Sequence, residues 1–176
     1  MVSATVARMI EIRQAGATDG DALGQVHAAA WEDAYAPFFS QEFAVRAVAD
    51  RRTRWHGLIA GSRLPVLLGA VDGRPLVLSY CVPSESRPGL AEIYSFYGHP
   101  DGWGTGVAAA LMRGTLDRLH DNGFDRVHLW TLRDTPRSRR FYTTCGFTET
   151  GATTTRDFGD GNPLAQVEYE RLTSGG

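Results

Sequence analysis

The stretch Glu92 to Leu119, E-I-Y-S-F-Y-G-H-P-D-G-W-G-T-G-V-A-A-A-L-M-R-G-T-L-D-R-L, decides the fold. Ala91 to Tyr97 is aromatic and β-branched and reads as a strand; Gly98, Pro100, Gly102, Gly104 and Gly106 break it into a loop. From Val107 the period changes: Ala108, Leu111, Met112, Thr115 and Leu119 recur at the spacing that gives a helix one buried face. The unit is therefore strand, glycine loop, helix N-terminus. The first N–H groups of such a helix have no partner inside it and sit at its positive end, where a phosphate or pyrophosphate can be held. Gly104 and Gly106 remove side chains that would keep a ligand from this backbone, although a plain tight turn uses the same residues. A Walker loop is excluded because no G-K-[ST] follows, and G-x-G-x-x-G is not completed.

Working toward the N-terminus, Leu64 to Ala70 and Leu76 to Val82 flank Asp72-Gly73 and predict an antiparallel hairpin that continues as a meander into the strand at Ala91. Met9 to Gln14 alternates like a short strand, after a loose lead-in over residues 1–8. Thr18 with Asp21 resembles a capping box, and Leu23, Val26, His27, Ala30, Trp31 and Ala34 form a helical stripe behind it. His27 on that stripe reads as a packed, hydrogen-bonded histidine. Trp31, Tyr35, Phe38 and Phe39 crowd around Pro37 and are either core or the wall of a ligand pocket. Ser40 caps a further helical region through Ile59, in one or two pieces, with Arg51, Arg52 and Arg54 expected on its solvated side.

Toward the C-terminus, Gly123 ends the central helix, and Arg126 to Leu132 is a strand that must run parallel to the one at Glu92 because a helix connects them. Pro136 opens a short helix carrying Phe141 and Tyr142 and stopping near Gly146. Phe147 to Arg156 and Gln166 to Arg171 are the last two strands. If the two parallel strands splay where their loops begin, an extended ligand can enter between them, with the Tyr142 phenol near its reactive end.

The 176 residues, 43% of them hydrophobic, are read as one domain, 1–176, with a substantial core. A net charge of -2 and the lack of a long basic run argue against a nucleic-acid partner. All 18 basic residues are arginine, which suggests a GC-rich genome and leaves no lysine nucleophile. Cys81 and Cys145 form no disulfide framework or metal signature, and no apolar run reaches membrane-spanning length. The expectation is a cytoplasmic protein with no metal and no membrane association.

Taken in order, the glycine loop at Trp103 to Ala108 and the Phe141-Tyr142 to Gly146-Phe147 segment resemble the GCN5-related N-acetyltransferase (GNAT) superfamily over nearly the whole chain. Val26, His27, Trp31, Ala34 and Tyr35 are similar to a pattern common in one bacterial branch of it. The resemblance implies an α+β (mixed α/β) fold: a mostly antiparallel sheet of six to seven strands flanked by about four helices. It implies acetyl-CoA as co-substrate and direct acetyl transfer to a primary amine of a small-molecule acceptor, with a homodimer plausible.

The family's [QR]-x-x-G-x-[GA] signature maps onto Trp103, Gly106 and Ala108, with Gly104, Thr105 and Val107 between, so Trp103 departs from the usual Gln or Arg. The pantetheine-pairing strand maps to Phe96, Tyr97 and Gly98, the last lacking the usual β-branched side chain. Thr135 and Ser138 stand where many members have Asn and Ala, and Thr135 could substitute for the Asn contact with its hydroxyl or its backbone. The resemblance makes Tyr142 the general acid, against a structural tyrosine packed on Phe141, and Glu92 the general base, against a solvated strand-end carboxylate. His27, His99, His128 and Glu168 are weaker base candidates. Trp31, Tyr35 and Phe38 would line the acceptor side, suggesting a partly apolar amine. The alternative from another class is a non-catalytic acyl-CoA binding or sensing module.

Overall fold

The computed structural model describes residues 7–175; the lead-in expected at the N-terminus falls, up to residue 6, outside them. Seven strands form one sheet in the order β1-β2-β3-β4-β5-β7-β6, with β1 Ile10–Gln14, β2 Leu67–Val71, β3 Arg74–Pro83, β4 Ala91–Gly98, β5 Arg126–Leu132, β6 Thr148–Arg156 and β7 Leu164–Leu172. The helices are α1 Gly20–Ala34, α2 Gln41–Thr53, α3 Trp55–Gly61, α4 Val107–Asp121 and α5 Pro136–Thr144. The expected mostly antiparallel mixed sheet is present. Only β4 and β5 run parallel.

Local chemistry sets the turns. Asp72 (φ 49°) and Gly73 (φ 82°) both take left-handed conformations, as the tight β2–β3 hairpin requires. Ser40 caps α2 by accepting the Phe43 N–H at 3.3 Å. The start of α1 differs from the Thr18–Asp21 reading. Asp19 is the residue before the helix, and its carboxylate accepts the Gly16 N–H at 2.7 Å while pairing both nitrogens of the Arg13 fork at 2.8 and 2.9 Å. Arg13 therefore competes for the acid that would otherwise serve the helix.

The sheet is covered on both faces. Leu111, Met112, Leu116 and Leu119 of α4 are buried, packing with Ile93, Leu129 and Phe147 on one side and with Leu67 and Val77 on the other. On the opposite face Leu23 and Val26 of α1 meet Trp55 of α3 and Leu68 and Leu78 of the hairpin. His27 is packed as expected, its Nδ1 accepting the Trp55 indole N–H at 3.1 Å and its ring stacked on Tyr97 at 4.1 Å. The solvated-face expectation fails for Arg51. This residue is only 8% exposed, with its guanidinium 4.3 Å from the Trp31 ring centroid, because Trp31 on α1 offers a π-face where helix α2 crosses it.

Candidate active site

Strands β4 and β5 pair only at Ala91↔Val127 and Glu92↔His128 and then part. Beyond Glu92, β4 keeps its ladder to β3 but has no strand partner on the β5 side, so backbone donors and acceptors face the gap. Opposite Tyr80 and Cys81 the register jumps from Ser95 to Ile93, leaving Tyr94 as the extra residue of a β-bulge. Bulges bend a strand and re-aim its side chains, and they are common beside active sites.

The gap opens into a cleft of about 490 Å³, within the roughly 300–1,000 Å³ range of small-molecule sites. At one end lies the N-terminus of α4. Gly106 precedes it at φ 86°, a conformation that disfavours any L side chain, and so supplies no side-chain cap. Ala108 and Ala109 of the first turn line the cleft, so a row of small residues brings ligand and backbone together at the positive end of the helix. Thr105 braces the loop: its hydroxyl donates to the Gly102 carbonyl at 2.7 Å and accepts the Val107 N–H at 3.3 Å.

Phe96, Tyr97 and Gly98 line the cleft, as do Trp103, Gly104, Gly106, Val107 and Ala108. Gly98 holds ordinary register opposite Val77 despite its missing side chain. Ser138 and Tyr142 line it from α5, but Thr105 and Thr135 do not. Thr135 spends its hydroxyl on the Leu132 carbonyl at 2.8 Å, which leaves only its backbone for the contact that the resemblance assigns to asparagine. Trp103 is 43% exposed, and the guanidinium of Arg137, another cleft residue, lies over its ring. Arg137 was not singled out from the sequence. Pro136 fixes the start of α5, and with it the position of the next side chain, which was the available signal.

Tyr142 sits in the core end of the cleft against Phe141 and Phe147, and burial pushes its phenol well above its ordinary pKa. It stays protonated at neutral pH and can donate a proton. Glu92 does not line the main cleft but is partly buried beside it, and desolvation raises its carboxyl, with His128 and Arg156 opposing the rise. Beneath it the fully buried His128 links the residue after β3 to β7: Nε2 is 2.6 Å from Ser84 Oγ and 4.0 Å from Glu92 Oε2, and Nδ1 is 2.9 Å from Glu168 Oε1. Arg87 in turn pairs Glu168 at 3.1 Å and Glu170 at 2.6 Å. Glu168 is thereby committed to structural contacts, as is His27.

Of the three aromatics assigned to the acceptor side, the structure puts only Tyr35 on the cleft. Trp31 lies one turn earlier on α1 and is fully buried between Tyr35, Phe39 and Arg51, and Phe38 is not among the lining residues. Tyr94, displaced by the bulge, is the aromatic the sequence reading lacked.

The fold, with two parallel strands that part beside a glycine loop and a helix N-terminus, is that of an acetyltransferase. The profile of the "Acetyltransferase (GNAT) family" matches residues 23–147, and the chain belongs to that family. Uncharacterised N-acetyltransferases of Mycobacterium bovis and Mycobacterium tuberculosis are each 30% identical over 141 residues, covering 79% of this chain and 89% of theirs. Among solved structures, the PaiA N-acetyltransferase of Thermoplasma acidophilum, in complex with coenzyme A, superposes with a TM-score of 0.71 at 19% identity, covering 93% of this chain and 99% of that one. The yncA protein of Salmonella typhimurium, solved with its cofactor acetyl-CoA, gives 0.69 at 20% identity, with 96% of each chain covered. Among the described residues no helix is long and apolar enough to cross a membrane.

Proposed function

We propose that the protein transfers an acetyl group from acetyl-CoA to the primary amine of a small-molecule acceptor. The observation that carries this reading is the parting of β4 from β5 after two residue pairs, beside an α4 N-terminus whose N-cap, Gly106, has no side chain to occupy its N–H groups. Acetyl-CoA is the co-substrate, supplying an activated thioester and a thiol leaving group. The residues present fit it. Uncapped N–H groups at Ala108 and Ala109 suit the pyrophosphate, the unpaired edge of β4 from Phe96 to Gly98 suits an extended amide-bearing arm, and Arg137 adds a cation at the mouth.

Glu92 takes the ammonium proton, directly or through a water, and its raised pKa strengthens it as a base near neutrality. Backbone N–H groups of β4 that face the gap polarise the carbonyl oxygen. Tyr142 holds the proton that the departing sulfur needs as the N–C bond forms and the C–S bond breaks. Orientation of the two substrates in one cleft supplies most of the rate.

Calorimetric titration with acetyl-CoA and with CoA, followed by thiol release over a panel of amines, tests the reading. Micromolar binding with amine-dependent thiol release supports it. Binding without turnover on any amine would favour the acyl-CoA sensing module, and no binding would overturn both.

A further inference from the structure

Beside the cleft stands a cation that makes no ion pair among the described residues. Arg156, the last residue of β6, places its guanidinium carbon 5.5 Å from the Tyr94 ring centroid and 4.9 Å from that of Phe158, with Nη2 3.4 Å from the Tyr94 hydroxyl. Among the described residues no carboxylate lies within 4.0 Å of it. Tyr94 is the residue that the β4 bulge turns onto the cleft, so Arg156 stands at its rim. Phe158 packs on Tyr35 and Phe39, which closes an aromatic wall around the same rim.

A second cation lies behind that wall. Arg51 is buried on Trp31, has a partnerless Nε, and has Asp50, 4.0 Å away, as its nearest carboxylate. Arg156 acts electrostatically on Glu92, Tyr35, Tyr97 and Arg51, and its contact with the cleft residue Tyr94 sets it beside the cleft. The acids nearby are Glu92, with Glu85 close to it, and Asp33 on the α1 side of the cleft. A carboxylate and a guanidinium thus lie beside the same cleft without pairing with each other. That is the complement of a zwitterion: ammonium toward Glu92, carboxylate toward the Arg156 fork, apolar substituent against Tyr35, Tyr94 and Phe158. A polycation would meet the Arg156 charge with no carboxylate paired to it.

We propose that the acceptor is an amine bearing a carboxylate, of amino-acid type with an apolar or aromatic side chain, whose carboxylate is held by Arg156. This rests on the acetyl-transfer reading above. The test compares phenylalanine and leucine with their decarboxylated counterparts, phenethylamine and isopentylamine, and with spermidine, by thiol release from acetyl-CoA. The expected result is kcat/KM at least about tenfold higher for each amino acid, the order of one charge-assisted contact. In Arg156→Gln that ratio falls toward one, chiefly through KM, with acetyl-CoA affinity as the check that the variant is folded. Equal or better turnover of the decarboxylated amines or spermidine overturns the proposal. If nothing is acetylated although acetyl-CoA binds, the transfer reading fails separately. The acceptor inference is then read by calorimetry on the CoA-saturated protein: tighter binding of phenylalanine than of phenethylamine, abolished in Arg156→Gln, upholds it, and no such difference overturns it.

Discussion

The Arg137 guanidinium lies 3.2 Å from the centroid of the Trp103 ring, tying the first turn of α5 to the glycine loop across the mouth of the cleft. Where the resemblance expects a polar side chain, position 103 carries an aromatic, and a guanidinium from another helix is held on that ring. A cation–π contact of this kind contributes about 0.5–2 kcal/mol.

Arg137→Ala is expected to weaken acetyl-CoA binding by about tenfold at low salt, and by less at high salt, since a charge contact to phosphates at the exposed rim is screened over about 10 Å at 0.1 M. Titrations at two ionic strengths measure this. An affinity loss independent of salt would show that Arg137 acts through packing on Trp103 alone.

Tyr142→Phe removes the proposed acid while preserving the ring that packs on Phe141 and Phe147. Turnover at saturating acetyl-CoA should drop by roughly 10²-fold or more, with the dissociation constant of acetyl-CoA little changed. Undiminished turnover would return Tyr142 to a purely packing role.

For Glu92 the raised pKa carries two signs. The base works only when ionised, so the rate should climb with pH through a value above the ordinary 4.5, and Glu92→Gln should lose that limb together with most of the turnover. Stability runs the other way. The folded state binds this proton more tightly than the unfolded chain, so stability is lost as pH rises from 4.5 through the folded value. Glu92→Gln should accordingly have an equal or higher Tm at pH 7, and the gain should vanish in acid. A Tm that falls at pH 7 would contradict the burial argument.

His27 gives the opposite pH dependence. Burial holds its imidazole down to about 2, with Arg51 and Arg54 adding to the effect, so the folded state refuses a proton that the unfolded chain accepts below 6.5. Stability is complete above 6.5 and falls by about 1.4 kcal/mol for each pH unit below it. His27→Gln keeps an acceptor for Trp55. Between pH 7 and pH 5 it should lose about 2 kcal/mol less than the parent chain, as read from urea midpoints. Parallel losses would assign the acid sensitivity elsewhere.

Much of the fold was legible because its punctuation is local. Asp72-Gly73, Gly106, Gly123 and Gly146 each take the left-handed conformation that their residue type allows, and the strand and helix periods between them are strong. The acceptor side was less legible because it is made by contacts distant in sequence. Nothing in the α2 run says that Arg51 meets Trp31, and the aromatic cluster around Pro37 does not say that Tyr35 faces the cleft while Trp31, one turn away, is sealed. The bulge that frees Tyr94 exists only in the register between β3 and β4. Alternation alone gives no notice of it.

The two-pair junction of β4 with β5 also makes the sheet two antiparallel blankets, β1-β2-β3-β4 and β5-β7-β6, stitched at Ala91 and Glu92. On the proposed reading, a ligand hydrogen-bonded along the open edge of β4 would act as the missing thread between them, and the β4 amides that face the gap would become interior to a continuous sheet while it is bound.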